Sequence, residues 1–162
     1  MHVNYLPLFL DMTGKEFLVF GAGKIAARRT EVLLHFGASV TIVAPEISEE
    51  MQNVIERFEA EKEPDAQGKI REIIKGVYKP GSVREDMDYV LAVTNDESVN
   101  AGIFRECRHR EIPVNVASDQ TKCDFYFPAV VETKDVIVGL TSGGRNHEKV
   151  RQMAQQIREM LE

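Results

Sequence analysis

Apolar and polar positions along this chain alternate between two periods. Phe17-Leu18-Val19-Phe20 and Ser39-Val40-Thr41-Ile42-Val43 are short runs with few or no polar interruptions. Between them, from Lys24 to Phe36, Ile25, Ala26, Val32, Leu33 and Phe36 recur on one helical face. The runs predict strands buried on both faces, and the stripe predicts an amphipathic helix. Gly37 follows directly, where a residue tolerant of positive φ ends a helix. Ser48, followed by Glu49 and Glu50, opens a second helix that fades near Ala60. The polar stretch 61–68, with Pro64 and Gly68, predicts a loop. Ile70 to Val77, Tyr89 to Val93 and Pro113 to Val116 predict three further strands, with a helix from Glu97 to Arg110 between the last two. Tyr5 to Leu10 forms a first short apolar segment.

Strands alternating with helices at this spacing predict an α/β fold, a Rossmann-like doubly wound parallel sheet. After Val116 the pattern changes. Residues 128–133 and 136–140 flank Lys134-Asp135 as the arms of a β-hairpin, and a last helix runs from about Asn146 to Leu161. The chain is therefore divided near residue 116. Residues 1–116 form a nucleotide-type unit, and 117–162 a small C-terminal hairpin-plus-helix region.

Composition narrows the classes. The 162 residues suit one domain with an appendage, and 43% hydrophobic residues supply a core. Twenty Lys and Arg against 26 Asp and Glu leave a net charge of −6, which argues against a general nucleic-acid binder. No apolar run approaches the roughly 20 residues of a membrane helix, and the N-terminus lacks a secretory pattern. A cytoplasmic protein with no membrane partner is expected. Cys107 and Cys123 are too few for a disulfide framework or a thiolate zinc site. His2, His35, His109 and His147 are scattered, so no metal ligand is assigned.

Gly21-x-Gly23-x-x-Ala26 follows an apolar strand and opens a helix, the setting of a dinucleotide fingerprint. Gly21 would allow the turn, Gly23 the approach of a pyrophosphate, and Ala26 close helix–strand packing. The acid that usually ends the second strand is absent. That strand ends in Val43-Ala44-Pro45, and Glu46 is either a ribose partner or a solvated carboxylate. With no Arg there to hold a 2′-phosphate, NAD is preferred over NADP. Thr94-Asn95-Asp96 ends the fourth strand on the same edge. It predicts a turn and helix cap, with cofactor contact in addition.

Seven segments together resemble the N-terminal dehydrogenase/ferrochelatase module of siroheme synthase, also found alone as precorrin-2 dehydrogenase. They are Tyr5 to Leu10, Gly21 to Arg29, Phe36 to Pro45, Ala92 to Asp96, Pro113 to Val116, Cys123 to Pro128 and Thr141 to Gly144. The resemblance implies NAD-dependent oxidation of precorrin-2 to sirohydrochlorin, with Fe²⁺ insertion in some members, by a Rossmann domain followed by a dimerisation region. It implies a cofactor site lined by Gly21, Gly23, Lys24, Ile25, Ala44, Pro45, Thr94 and Asn95. It also implies a homodimer, with the hairpin and Ser142-Gly143-Gly144 at the interface and substrate cleft.

Two motifs depart from the family's pattern. Its Asn-Val-Val-Asp-Asp-Pro is here Asn115-Val116-Ala117-Ser118-Asp119-Gln120, so Ser118 stands at the position usually given a catalytic role. Its Gly-Gly-Thr-Ser-Pro is here Gly143-Gly144-Arg145-Asn146-His147. Asp119 is then either the proton-collecting base or a loop carboxylate that starts an Asx-turn. Ser142 either meets substrate or caps the last helix, with Gly143 beside it. A polycarboxylate tetrapyrrole calls for cations: Arg145 first, then Arg28, Arg29, Lys122, Lys149 and Arg151, each of which could equally be a solvated charge. Two classes of function stay open. One is an NAD-dependent dehydrogenase, with or without chelatase activity. The other is a chelatase alone or a non-catalytic nucleotide- or tetrapyrrole-binding module.

Overall fold

A computed structural model describes residues 5–60 and 68–161. The expected loop lies, except for Gly68, outside the described residues, as does His2. Packing divides the rest into two compact units. One holds residues 11–125, the other 5–10 together with 126–161.

The larger unit is the α/β sheet that the alternation predicts. Its strands are β1 (Glu16–Phe20), β2 (Ser39–Ala44), β3 (Lys69–Lys75), β4 (Tyr89–Ala92) and β5 (Val114–Val116). They are all parallel, in the order β3-β2-β1-β4-β5. Every residue of β2 and β5 is buried, as are Phe17 to Phe20 and Val90 to Ala92; β1 and β4 therefore read as apolar runs, and β2 and β5 are interrupted only by the buried polar residues Ser39, Thr41 and Asn115. β3 is the edge strand and is largely exposed, with a register shift against β2 between Val40 and Thr41. Helices α1 (Lys24–His35) and α2 (Glu49–Ala60) follow β1 and β2 and pack on each other, while α3 (Glu97–Arg110) joins β4 to β5. Right-handed crossovers leaving β1 in opposite directions put α1 and α2 on one face and α3 on the other.

Local signals explain the boundaries. Gly37, at φ 90°, closes α1, with Ala38 N–H bonding Leu33 O at 2.9 Å. Ser48 Oγ accepts from Met51 N–H at 3.2 Å to start α2. Asp96 caps α3, its carboxylate accepting from Ser98 and Val99 N–H at 2.8 and 3.2 Å. The crossover 76–88 contains no helix. Glu106 of α3 holds it, its carboxylate accepting from Tyr78 Oη at 2.8 Å and from the Gly81 and Val83 amides at 3.1 Å each.

Residues 117–125 return along β5, beyond a short 3-10 turn at Gln120–Lys122 that the pattern does not announce. Asp124 pairs with Val114 twice, its N–H bonding Val114 O and its carboxylate taking Val114 N–H, both at 2.9 Å. Buried Cys123 Sγ lies 3.3 Å from Val116 N and O.

The smaller unit contains the antiparallel hairpin β6 (Ala129–Glu132) and β7 (Ile137–Leu140), and α4 (His147–Leu161), which packs on β6. Thr133 N–H bonds Val136 O at 2.9 Å across the Lys134-Asp135 turn. The apolar segment 5–10 forms no strand. Tyr5 packs on Tyr126, ring centroids 4.2 Å apart, while Leu6, Leu8, Phe9 and Leu10 are exposed. No described helix is long and apolar enough to cross a membrane.

Candidate functional site

The strand order reverses between β1 and β4, and in open parallel sheets a crevice opens there beyond the carboxyl ends of the strands. Gly21 stands at that point. Its φ is 113°, its N–H bonds Val43 O at the end of β2 at 2.9 Å, and an added Cβ would fall 2.5 Å from Val93 O. Glycine is therefore required twice, for conformation and for the close approach of the β4 end. Gly23 differs. Its conformation is ordinary, and an added Cβ would meet nothing within 4 Å. No neighbour in the chain demands a glycine there, so the residue leaves open surface beside the helix mouth.

That mouth fits a phosphate. No side chain caps α1, and its first turn carries no acid. Its leading N–H groups have no partner within the helix, and the dipole favours an anion. Lys24 and Ile25 lie exposed on the first turn, and Ala26 is fully buried against the sheet. Ala44 is buried at the end of β2, with Pro45 and Glu46 exposed beyond it. The fold thus brings Gly21, Gly23, Lys24, Ile25, Ala44, Pro45, Thr94, Asn95, Ser118 and Asp119 to one edge of one unit.

On the β4–β5 side a buried amide organises the edge. Asn100 on α3 is 1% exposed. Its Oδ1 accepts from Thr94 N–H at 3.1 Å and Thr94 Oγ1 at 2.8 Å, and its Nδ2 donates to Thr94 O at 3.0 Å and Ser118 Oγ at 3.3 Å. Asn95 is exposed beside it. The residue-type pattern does not single Asn100 out. The one available signal is a polar side chain on the helical stripe it shares with Ile103 and Cys107.

Asp119 caps the 3-10 turn. One carboxylate oxygen accepts from Thr121 N–H at 3.0 Å and Thr121 Oγ1 at 2.6 Å, and the other pairs with Lys122 Nζ at 2.7 Å. Lys122 and Thr121 hold its pKa down at about 2. It is an ionised acceptor near neutral pH and a weak base.

The cations are distributed unevenly. Arg29 donates to Asn115 Oδ1 at 2.5 Å, and Asn115 Nδ2 donates to Phe125 O at 2.7 Å, so Arg29 ties α1 to the β5 edge. Burial lowers the Arg29 pKa from its usual value. Arg28 is exposed on α1. Ser142, Gly143 and Arg145 belong to the smaller unit. Ser142 Oγ accepts from Asn146 N–H at 2.9 Å, and Arg145 Nε turns back to Ser142 O at 3.2 Å. Gly143 N–H donates to Thr141 Oγ1 at 3.0 Å. α4 is capped by Asn146, whose Oδ1 accepts from Lys149 N–H at 2.8 Å. Arg151 pairs with Glu148 at 2.9 Å. Among the described residues, no three His, Cys, Asp or Glu gather to hold a metal.

Residues 8–129 match a family model described as "Putative NAD(P)-binding". The chain is 35% identical over 155 residues to the "Probable multifunctional siroheme biosynthesis protein HemA" of Ruminiclostridium josui, covering 95% of this chain and 28% of that protein. It is 35% identical over 161 residues to the siroheme synthase of Photorhabdus laumondii, covering 99% of this chain and 31% of the synthase. The chain thus spans about a third of the length of these relatives. Among solved structures, a precorrin-2 dehydrogenase superposes with a TM-score of 0.69 at 23% identity, covering 96% of this chain and 71% of that one. That likeness shows the shared fold.

Proposed function

The chain belongs to the NAD(P)-binding family that includes the N-terminal domain of siroheme synthase, and on that premise we propose that it oxidises precorrin-2 to sirohydrochlorin with NAD⁺ as acceptor. The observation that carries this reading is the glycine loop at the switch point: Gly21 locked between two strand ends, and Gly23 open beside an uncapped helix mouth. When bound, the dinucleotide supplies a hydride acceptor. The residues of the chain bind and orient. The α1 mouth holds the pyrophosphate, Ala44 and Pro45 flank the adenosine, and Glu46 disfavours a 2′-phosphate by its charge. Thr94, Asn95 and Ser118 frame the nicotinamide side.

Ser118 and Asp119 are the catalytic pair of this proposal. Asp119, ionised and tethered by Lys122, accepts hydrogen bonds from the macrocycle's N–H groups. Its low basicity gives it little driving force to carry a proton away at neutral pH, and solvent takes that proton. Ser118 offers a hydroxyl that does not ionise. Ser142, Gly143 and Arg145 are proposed to meet the substrate's carboxylates. The exposed apolar side chains Leu6, Leu8, Phe9 and Met160 of the smaller unit support a homodimer. A chelated Fe²⁺ would be substrate, with the macrocycle as its ligand.

Ser118 at the family's usual Asp position, together with the weak basicity of Asp119, favours a second reading: a chelatase or a binding module without dehydrogenase activity. An anaerobic assay with precorrin-2 and NAD⁺, following NADH and the tetrapyrrole spectrum together, separates the two. NADH formed in step with sirohydrochlorin supports the first. No NADH from protein that binds NAD⁺ ends it and leaves the second.

A further inference from the structure

We infer that Asn100 is a positioning residue that sets Ser118 as a hydrogen-bond donor to the nicotinamide half of the dinucleotide. The inference rests on the dinucleotide reading of the cleft and deepens it. A carboxamide can accept two hydrogen bonds and donate two, and Asn100 makes all four. The Thr94 backbone N–H, which can only donate, fixes the amide oxygen, and Thr94 O, which can only accept, takes one Nδ2 proton, so the amide cannot flip and the other Nδ2 proton faces Ser118 Oγ. Ser118 Oγ therefore accepts at 3.3 Å, and its own proton is left to point elsewhere. Ser118 is exposed at the end of β5, so the proton is available to a ligand.

Topology states which half of a ligand it meets. The pyrophosphate lies at the α1 mouth after β1, and the adenosine lies over the end of β2. An extended dinucleotide must then run the other way, over β4 and β5, with its nicotinamide. The nicotinamide carboxamide oxygen is an acceptor of the kind this hydroxyl can satisfy. Asn100, buried beneath, touches no ligand and acts through Thr94 and Ser118. Glutamine in its place would overreach, and aspartate would keep both Thr94 bonds while losing both donors.

The test uses the whole chain with two probes, NADH and ADP-ribose, the second lacking the nicotinamide ring. Wild type, Asn100→Asp, Ser118→Ala and the double variant are titrated by NADH fluorescence and by calorimetry. Losing one oriented hydrogen bond should weaken NADH binding roughly three- to tenfold in each single variant, with ADP-ribose changed by less than about twofold. The double variant should bind NADH no more weakly than Asn100→Asp alone. Equal losses for the two probes, or additive losses in the double variant, would overturn the inference and leave Asn100 a structural residue.

Should Asn100→Asp fail to fold, the side-chain amide resonances of Asn100 in the wild-type chain decide. They should shift with NADH and not with ADP-ribose, and Ser118→Ala should abolish the difference. Unmoved resonances overturn the inference. None of these measurements uses a tetrapyrrole. Coupling without precorrin-2 oxidation therefore keeps this inference and removes the proposed reaction, whereas oxidation with equal losses does the reverse. Wild-type chain that binds neither probe overturns both.

Discussion

Replacing Glu106 by glutamine should destabilise the larger unit by about 2–4 kcal/mol, since hydrogen bonds to a charged group contribute about 1.5–3 kcal/mol each and neutral ones about half as much. The carboxylate is a four-way acceptor. Oε2 takes Tyr78 Oη and the Gly81 amide, while Oε1 takes the Val83 amide and Arg110 Nε at 3.2 Å. Its side chain is only 11% exposed, so water cannot replace these partners freely. Glutamine offers one oxygen and one NH₂ group. With its NH₂ toward Val83 and Arg110, two obligate donors meet another donor; turned the other way, Tyr78 Oη can accept but the Gly81 amide cannot, and in either case the remaining pair loses the charge. At this chain length a loss of that size lowers Tm by roughly 4–16 °C.

Urea unfolding followed by circular dichroism measures the difference, with Glu85→Gln as the control. Glu85 also pairs with Arg110, but it is 88% exposed and should change stability by less than about 0.5 kcal/mol. The pH dependence has a definite sign. Glu106 is pulled below its ordinary 4.5 by Tyr78, the two amides and Arg110, against the opposing effect of burial. Its contribution is complete above the unfolded value and disappears as pH falls through the lower folded one, so the wild-type advantage should shrink only in that acid range. A Glu106→Gln variant within about 0.5 kcal/mol of wild type at neutral pH would refute the four-acceptor argument.

Gly21→Ala should both destabilise the fold and abolish NADH binding, because the methyl would overlap Val93 O at a φ of 113°; a variant with wild-type melting and affinity would contradict that placement. Glu111 ends α3 in the left-handed region at φ 56°, so Glu111→Gly should raise stability by about 0.5–1 kcal/mol, read from the urea midpoint. Asp119→Asn should leave NADH affinity unchanged and lower turnover. Because the wild-type carboxyl titrates at about 2, the variant should keep the wild-type pH–rate profile across the neutral range. A variant that lost an acid limb near neutrality would show that the Lys122 pairing opens in the complex.

Much of this architecture was legible from residue order alone, because its determinants are local. A strand buried on both faces is mostly apolar, so Phe17 to Phe20 and Tyr89 to Val93 announce themselves. Gly21 and Gly23 announce a turn at a helix mouth, and Asp96 announces its cap. The seven-segment resemblance carried the family, and Ser118 in place of an acid was visible there. What tertiary structure alone decided are the pairings between residues far apart in the chain. Tyr5 to Leu10 is apolar enough for a strand but forms no ladder in this chain. Asp119 is the local exception, its two oxygens held by Thr121 and Lys122 only two and three residues on. Arg29 reads equally as a substrate cation or a solvated helix charge, and the structure bonds it to Asn115, 86 residues away. Asn100 and Glu106 lie on helical faces that periodicity can orient. Their partners, Ser118 and the crossover 76–88, meet them only when the sheet closes, and a hydrogen bond depends on where its two ends arrive in space.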